Sequence, residues 1–244
     1  MKKKMDGVNV NYEYSNIKSD ITLVLLHGWG QNIEMMKPIG DKYKDKFNVL
    51  IIDLPGFGES DEPPKPWTVY EYADFVHDFI KSFDIKKIYL VGHSFGGKIS
   101  LVYASKYKVE KLVGLASPYC KEIKKMPFKT KVYKAIKKIK LLTPLANYMK
   151  NKIGSTDYKN SSETMRGVLV QTVNLDIDED VKKIKCPTLL IWGTLDTAVP
   201  ISRAYELEKM INNSGVVVYE GATHYAYLER LNNVIRVLNN FFNC

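Results

Sequence analysis

The sequence predicts an α/β protein: a mostly parallel, doubly wound sheet with an inserted helical segment. Three observations carry this. Continuous apolar runs recur at 21–26, 49–52, 88–91, 112–115, 188–192 and 216–219, as expected of strands buried on both faces. Helical patterns lie between most of them, near 32–45, 68–83, 96–107, 201–212 and 226–242. Buried strands alternating with helices imply parallel pairing. The alternation fails between Leu115 and Thr188, which marks an insertion.

In chain order, residues 8–14 alternate and read as a half-exposed strand. The run 21–26 opens the buried sheet and leads into His27-Gly28-Trp29-Gly30. Residues 49–52 lead into Asp53-Leu54-Pro55-Gly56-Phe57-Gly58-Glu59-Ser60. Pro63-Pro64-Lys65-Pro66 is a stiff loop and not a linker. The run 88–91 enters Gly92-His93-Ser94-Phe95-Gly96 and then an amphipathic helix. The run 188–192 leaves through the loop 193–200 that holds Asp196, and 216–219 is followed by Gly221-Ala222-Thr223-His224. Residues 1–118 and 181–244 are expected to form the core domain, with 119–180 a helical, Lys-rich cap. No internal repeat is present.

A hydrophobic fraction of 45% and a charged fraction of 26% over 244 residues exclude a disordered or fibrous chain. The formal charge of +9 is unevenly placed. Residues 121–160 hold twelve lysines against Glu122 and Asp157, a net of +10. The other 204 residues carry 24 basic and 25 acidic side chains, a net of −1. Within 129–140, Val132, Tyr133, Ile136 and Ile139 fall on one helical arc and Lys131, Lys134, Lys137 and Lys138 on the opposite one. The lysines read as a solvated outer face, a dock for an acidic acyl carrier protein, or an anchor on an anionic lipid surface. Nucleic acid is excluded as a partner, since no stacking platform or binding motif accompanies them. Cys120, Cys186 and Cys244 form neither a disulfide framework nor a metal-ligand spacing, which points to a reducing cytoplasm. No apolar run follows Met1-Lys2-Lys3-Lys4 as a signal peptide requires, and no stretch approaches the length of a transmembrane helix.

The chemistry is expected at Ser94. A Gly-x-Ser-x-Gly string between a buried strand and a helix is a turn so tight that glycines must flank the serine, lifting its hydroxyl clear of the sheet. A serine needs a base, and the base an orienting carboxylate. His224 is the only histidine after Ser94, and it follows the last strand, where sites in open α/β sheets gather. Asp196, in the loop after 188–192, is the matching acid. Asp176, Asp178, Glu179 and Asp180 precede a strand and read as a solvated loop. The oxyanion hole needs two N–H donors, assigned to Phe95 and Trp29, whose indole would also wall the pocket. His27, Gly28 and His93 are candidate pocket residues. Of these, His27 is expected to hold its loop, and the His93 side chain to point away from the base. His77 reads as a surface residue. No metal or organic cofactor is called for.

Together, His27-Gly28-Trp29-Gly30, the Asp53 to Ser60 stretch, the Gly92 to Gly96 elbow, Trp192-Gly193 with Asp196, and Gly221 to His224 resemble the α/β-hydrolase superfamily over nearly the whole chain. The resemblance implies that Asp53–Ser60 is structural and that the cap follows the strand after the nucleophile helix. Ser94 argues against the dehalogenases and epoxide hydrolases, which carry aspartate at that position. The N-terminal half looks like the pimeloyl-[acyl-carrier protein] methyl ester carboxylesterases of biotin synthesis, although His93 and Phe95 replace the Trp and Leu usual around their serine. The implied function is a serine hydrolase cleaving carboxylic esters or thioesters through an acyl-enzyme. The alternatives are a cofactor-free, haloperoxidase-like perhydrolase, a lyase on the same triad, and a non-catalytic ligand-binding member of the fold.

Overall fold

A computed structural model describes residues 1–121 and 156–244. Its strands are β1 (Lys2–Met5), β2 (Val8–Ser15), β3 (Ile21–Leu26), β4 (Asn48–Ile52), β5 (Lys87–His93), β6 (Lys111–Leu115), β7 (Thr188–Gly193) and β8 (Ser214–Tyr219). Its helices are α1 (Lys37–Gly40), α2 (Val69–Lys81), α3 (Phe95–Lys106), α4 (Thr156–Asn160), α5 (Glu163–Asn174), α6 (Asp178–Val181), α7 (Ser202–Met210), α8 (Ala226–Glu229) and α9 (Leu231–Phe242). The strands form one sheet in the order β1-β2-β4-β3-β5-β6-β7-β8. β1 and β2 pair antiparallel, as do β2 and β4, and all later pairings are parallel. This is the α/β-hydrolase fold.

Side chains alternate across the strands, so each buried run feeds two layers. Val24, Leu26 and Leu90 face a core shared with Val76 and Phe79 of α2, Ile99 of α3 and Leu207 of α7. Leu23, Leu25 and Val91 face the opposite core, with Ile39 of α1 and Val234, Leu238 and Phe242 of α9. α2 begins where the Thr68 hydroxyl accepts the Glu71 N–H and the Glu71 carboxylate accepts the Thr68 N–H, a reciprocal cap.

Several expectations are corrected. The helix expected over 32–45 is a 3₁₀ turn, Ile33–Met35, followed by the single-turn α1. Pro38 opens that turn, and Gly40 sits so close to β4 that a Cβ there would lie 2.9 Å from Ile51 Cδ1. The helix expected over 226–242 breaks at Arg230, whose φ of −122° and ψ of 32° leave the helical region. α3 is not amphipathic: Phe95 through Tyr103 are all buried, because the sheet covers one side and α2 and α6 pack on the others. β1 does not read as a strand in sequence, because three of its residues are lysines. It is an edge, where such charges block further pairing. His77 is half-buried, stacked 3.6 Å from the Tyr107 ring, with Nδ1 3.2 Å from the Tyr103 hydroxyl.

Among the described residues no strand lies between β6 and β7, and α4, α5 and α6 occupy the described part of that interval. The helical pattern over 129–140, with its opposed lysine and apolar arcs, falls outside the described residues. None of the described helices is long and apolar enough to cross a membrane.

Candidate active site

The sheet register places the functional loops at one edge. Leu26 pairs with Gly92, His93 with Leu115, Leu115 with Ile191, and Gly193 with Tyr219. The C-terminal ends of β3, β5, β7 and β8 are therefore nearly level. The loops holding Trp29, Ser94, Asp196 and His224 all leave from that edge.

Ser94 joins β5 to α3 with φ 51° and ψ −111°. A residue with a side chain adopts such a backbone at a cost of about 1–3 kcal/mol, so the surroundings must hold it. The Ser94 N–H donates to the Leu115 carbonyl (2.9 Å) and the Gly96 N–H to the His27 carbonyl (3.0 Å). The flanking glycines are required by contact. A Cβ on Gly92 would lie 2.6 Å from the Gly96 carbonyl carbon, and one on Gly96 would lie 2.7 Å from the Leu26 carbonyl carbon.

Asp196 and His224 meet directly: His224 Nδ1 lies 2.8 Å from Asp196 Oδ2. The second carboxylate oxygen, Oδ1, accepts the N–H groups of Ala198 and Val199, both at 2.8 Å. The Asp196 side chain is wholly buried, and that of His224 is 15% exposed. A buried carboxylate held this way fixes the Nδ1–H tautomer and leaves Nε2 free to take a proton. The two loops are also tied to each other, since the Leu195 N–H donates to the Ala222 carbonyl (2.9 Å). Among the described residues the Ser94 hydroxyl has no hydrogen-bond partner.

Trp29, Ser94 and Phe95 line one cavity of about 470 Å³, with Lys98, Thr172 and Val199. Among the described residues neither the Trp29 nor the Phe95 N–H meets an acceptor. Trp29 packs edge-on against Phe57 and Phe95, at 4.9 and 5.4 Å, and also lines a second cavity of about 410 Å³. Trp29 thus lines both cavities.

His27 and His93 are fully buried and line neither cavity. His27 donates from Nδ1 to the Gly28 carbonyl (2.7 Å) and accepts the Leu54 N–H at Nε2 (3.0 Å), holding two loops as expected. His93 does not point away from the base. Its ring centroid lies 4.8 Å from that of His224, its Nε2 is 3.1 Å from the His224 carbonyl, and its Nδ1 is 3.2 Å from Gln31 Oε1. A neutral imidazole has one N–H, so one of these contacts carries the proton at a time. Burial pushes the His27 pKa down to about 4, and burial with the neighbouring His224 pushes that of His93 down to about 3. Gly28 is buried too, its N–H donating to Gln31 Oε1 (2.9 Å). A Cβ there would lie 2.8 Å from His93 Nδ1. These three residues support the site from behind. Asp53 Oδ1 accepts the Ile33 N–H (2.7 Å) and Oδ2 the Glu59 N–H (2.9 Å), which makes the Asp53–Ser60 stretch structural.

Sequence reasoning missed Lys98 and Thr172 in the cavity wall. The available signal was a lysine at Ser94 + 4 in the mostly apolar first half of the helix.

Residues 21–128 match the family model for the alpha/beta hydrolase fold, and residues 169–243 match that for TAP-like protein. Among curated relatives, the uncharacterized hydrolase YugF of Bacillus subtilis is 30% identical over 86% of this chain and 85% of its own. The proline iminopeptidase of Saccharolobus solfataricus is 28% identical over 98% of this chain and 90% of its own. The pimeloyl-[acyl-carrier protein] methyl ester esterase of Wigglesworthia glossinidia brevipalpis is 28% identical over 85% of this chain and 88% of its own.

Proposed function

The chain belongs to the α/β-hydrolase superfamily, and from that membership we propose that it is a serine hydrolase of carboxylic esters or thioesters working through an acyl-enzyme. The observation that carries the reading is the Asp196–His224 pair, 2.8 Å apart, at the sheet edge where Ser94 stands strained beside a cavity.

His224 Nε2 takes the Ser94 proton as Oγ bonds to the substrate carbonyl carbon. The carbonyl oxygen becomes an oxyanion, and the N–H groups of Trp29 and Phe95 donate to it. Asp196 stabilises the imidazolium. The tetrahedral species collapses as the C–O or C–S bond to the leaving group breaks, and the leaving group takes its proton from Nε2. Water then gives a proton to Nε2 of His224 and attacks the acyl carbonyl carbon; the bond to Ser94 Oγ breaks, Oγ takes that proton back, and the acid is released. Trp29 stands between the two cavities, which suits a partition of acyl chain from leaving group. The acyl donor we propose includes chains borne by an acidic carrier protein. Support comes from the +10 charge of residues 121–160 and from the likeness to an esterase acting on such a carrier. A reducing cytoplasm suits Cys120, Cys186 and Cys244, which form no disulfide.

Replacing Ser94 with Ala should lower kcat on a short p-nitrophenyl ester by about 10⁴-fold or more while leaving the circular-dichroism spectrum and melting temperature unchanged. Retained turnover in the folded variant would refute the assignment.

A further inference from the structure

The cavity beside Ser94 contains two polar groups with unspent hydrogen-bonding capacity. Lys98 is 1% exposed. It sits one helical turn beyond Ser94, whose carbonyl accepts the Lys98 backbone N–H (2.9 Å). Its Nζ donates to the carbonyls of Thr172 (2.9 Å) and Leu175 (2.6 Å). An ammonium has three donors, so one remains. Among the described residues no carboxylate forms an ion pair with it. Thr172 is 7% exposed, and its Oγ1 has no hydrogen-bond partner. Both residues line the cavity that holds Ser94.

A buried ammonium without a carboxylate partner is costly to hold in the fold. The two carbonyls, at the C-terminal end of α5, offset part of that cost. Much of the remaining wall is apolar, including Trp29, Phe95, Leu169 and Val199. Ester cleavage requires no cation at this place, because the oxyanion is served by backbone N–H groups. The wall also carries a second cation, Lys121, and one acid, Asp157, and among the described residues Asp157 forms no ion pair with Lys98.

We propose that Lys98 and Thr172 form an anion subsite inside the substrate cavity, which selects esters whose acyl chain ends in a carboxylate, that is, half-esters of dicarboxylic acids. The Lys98 ammonium pairs with the distal carboxylate, and the Thr172 hydroxyl donates to it. Burial holds the Lys98 pKa down to about 8, against the opposing pull of Asp176, Cys120 and Asp178. A carboxylate entering the same dry site raises it again. The subsite rests on the ester-hydrolase reading above and names its substrate class.

The test compares monomethyl with dimethyl adipate. The wild-type enzyme should favour the monoester by at least tenfold in kcat/KM. In Lys98→Met that ratio should fall to near one. Thr172→Val keeps both Lys98 tethers, which end on main-chain oxygens, and should reduce the ratio about threefold even if Lys98→Met does not fold. A purely structural role would lower both rates together and leave the ratio intact, and that result would overturn the proposal. Calorimetry on Ser94→Ala separates the two readings. This variant should bind the monoester at least tenfold more tightly than the diester, and the added Lys98→Met change should erase the difference. Binding discrimination without turnover in the wild type would keep the subsite and sink the hydrolase reading. Turnover of both esters without discrimination would sink the subsite alone.

Discussion

Asp196 shows how one residue is made to serve. Its Oδ1 is consumed by two backbone N–H groups, so only Oδ2 is left to orient His224. His27 and His93 show the opposite use of imidazole, as neutral struts. Their burial carries a cost that depends on pH. In the unfolded chain each takes up a proton near its ordinary pKa of 6.5, whereas in the fold they do so only near 4 and 3. Between those values the unfolded chain holds more protons, so stability is lost as pH falls below 6.5. By pH 5.5 the two should cost about 2–3 kcal/mol together, or about 5–10 °C in melting temperature. A melting temperature constant from pH 7.5 to 5.5 would contradict this account.

Among the elements, the elbow between β5 and α3 is the most constrained. Ser94 at φ 51° is held by β3 and β6 through the Gly96 and Ser94 N–H bonds, and Gly92 and Gly96 leave room for backbone where a Cβ would collide. Gly96→Ala should therefore destabilise the protein by about 2–4 kcal/mol, measured as a lower urea midpoint, and should lower kcat further than stability explains. An alanine variant as stable and active as the wild type would show that the elbow has slack. The motif was legible in sequence because its cause is local: a tight turn needs glycines on either side of the serine. The segment 32–45 was misread because its apolar spacing suits a helix, while Pro38 and the packing of Gly40 against Ile51 confine the helix to one turn.

Over the whole molecule, the net charge is concentrated in one segment, which also contributes Lys121 and Asp157 to the wall of the Ser94 cavity. Residues 121–160 carry a net +10 and the remainder −1. If those lysines recruit a carrier-borne acyl group, reversing Lys134, Lys137 and Lys138 to Glu should raise KM for that substrate at least tenfold and flatten its salt dependence. Hydrolysis of a small neutral ester is the reference rate. Equal KM values for the carrier-borne substrate would remove the carrier from the account. The candidate acid, base and serine were legible because register brings the ends of β5, β7 and β8 to one edge, and each candidate follows a strand.

By itself the sequence determined the buried parallel strands of the sheet, the order of their loops, and Ser94, Asp196 and His224 as candidates. Apolar runs, glycines and residue order are local properties of a chain. Only the tertiary structure decided that His93 braces His224 from behind, that α3 is buried through Tyr103, and that Lys98 and Thr172 meet in the cavity. Lys98 and Thr172 are 74 residues apart. Their juxtaposition depends on the C-terminal end of α5 reaching the side chain of Lys98 in α3, which no spacing in the sequence encodes.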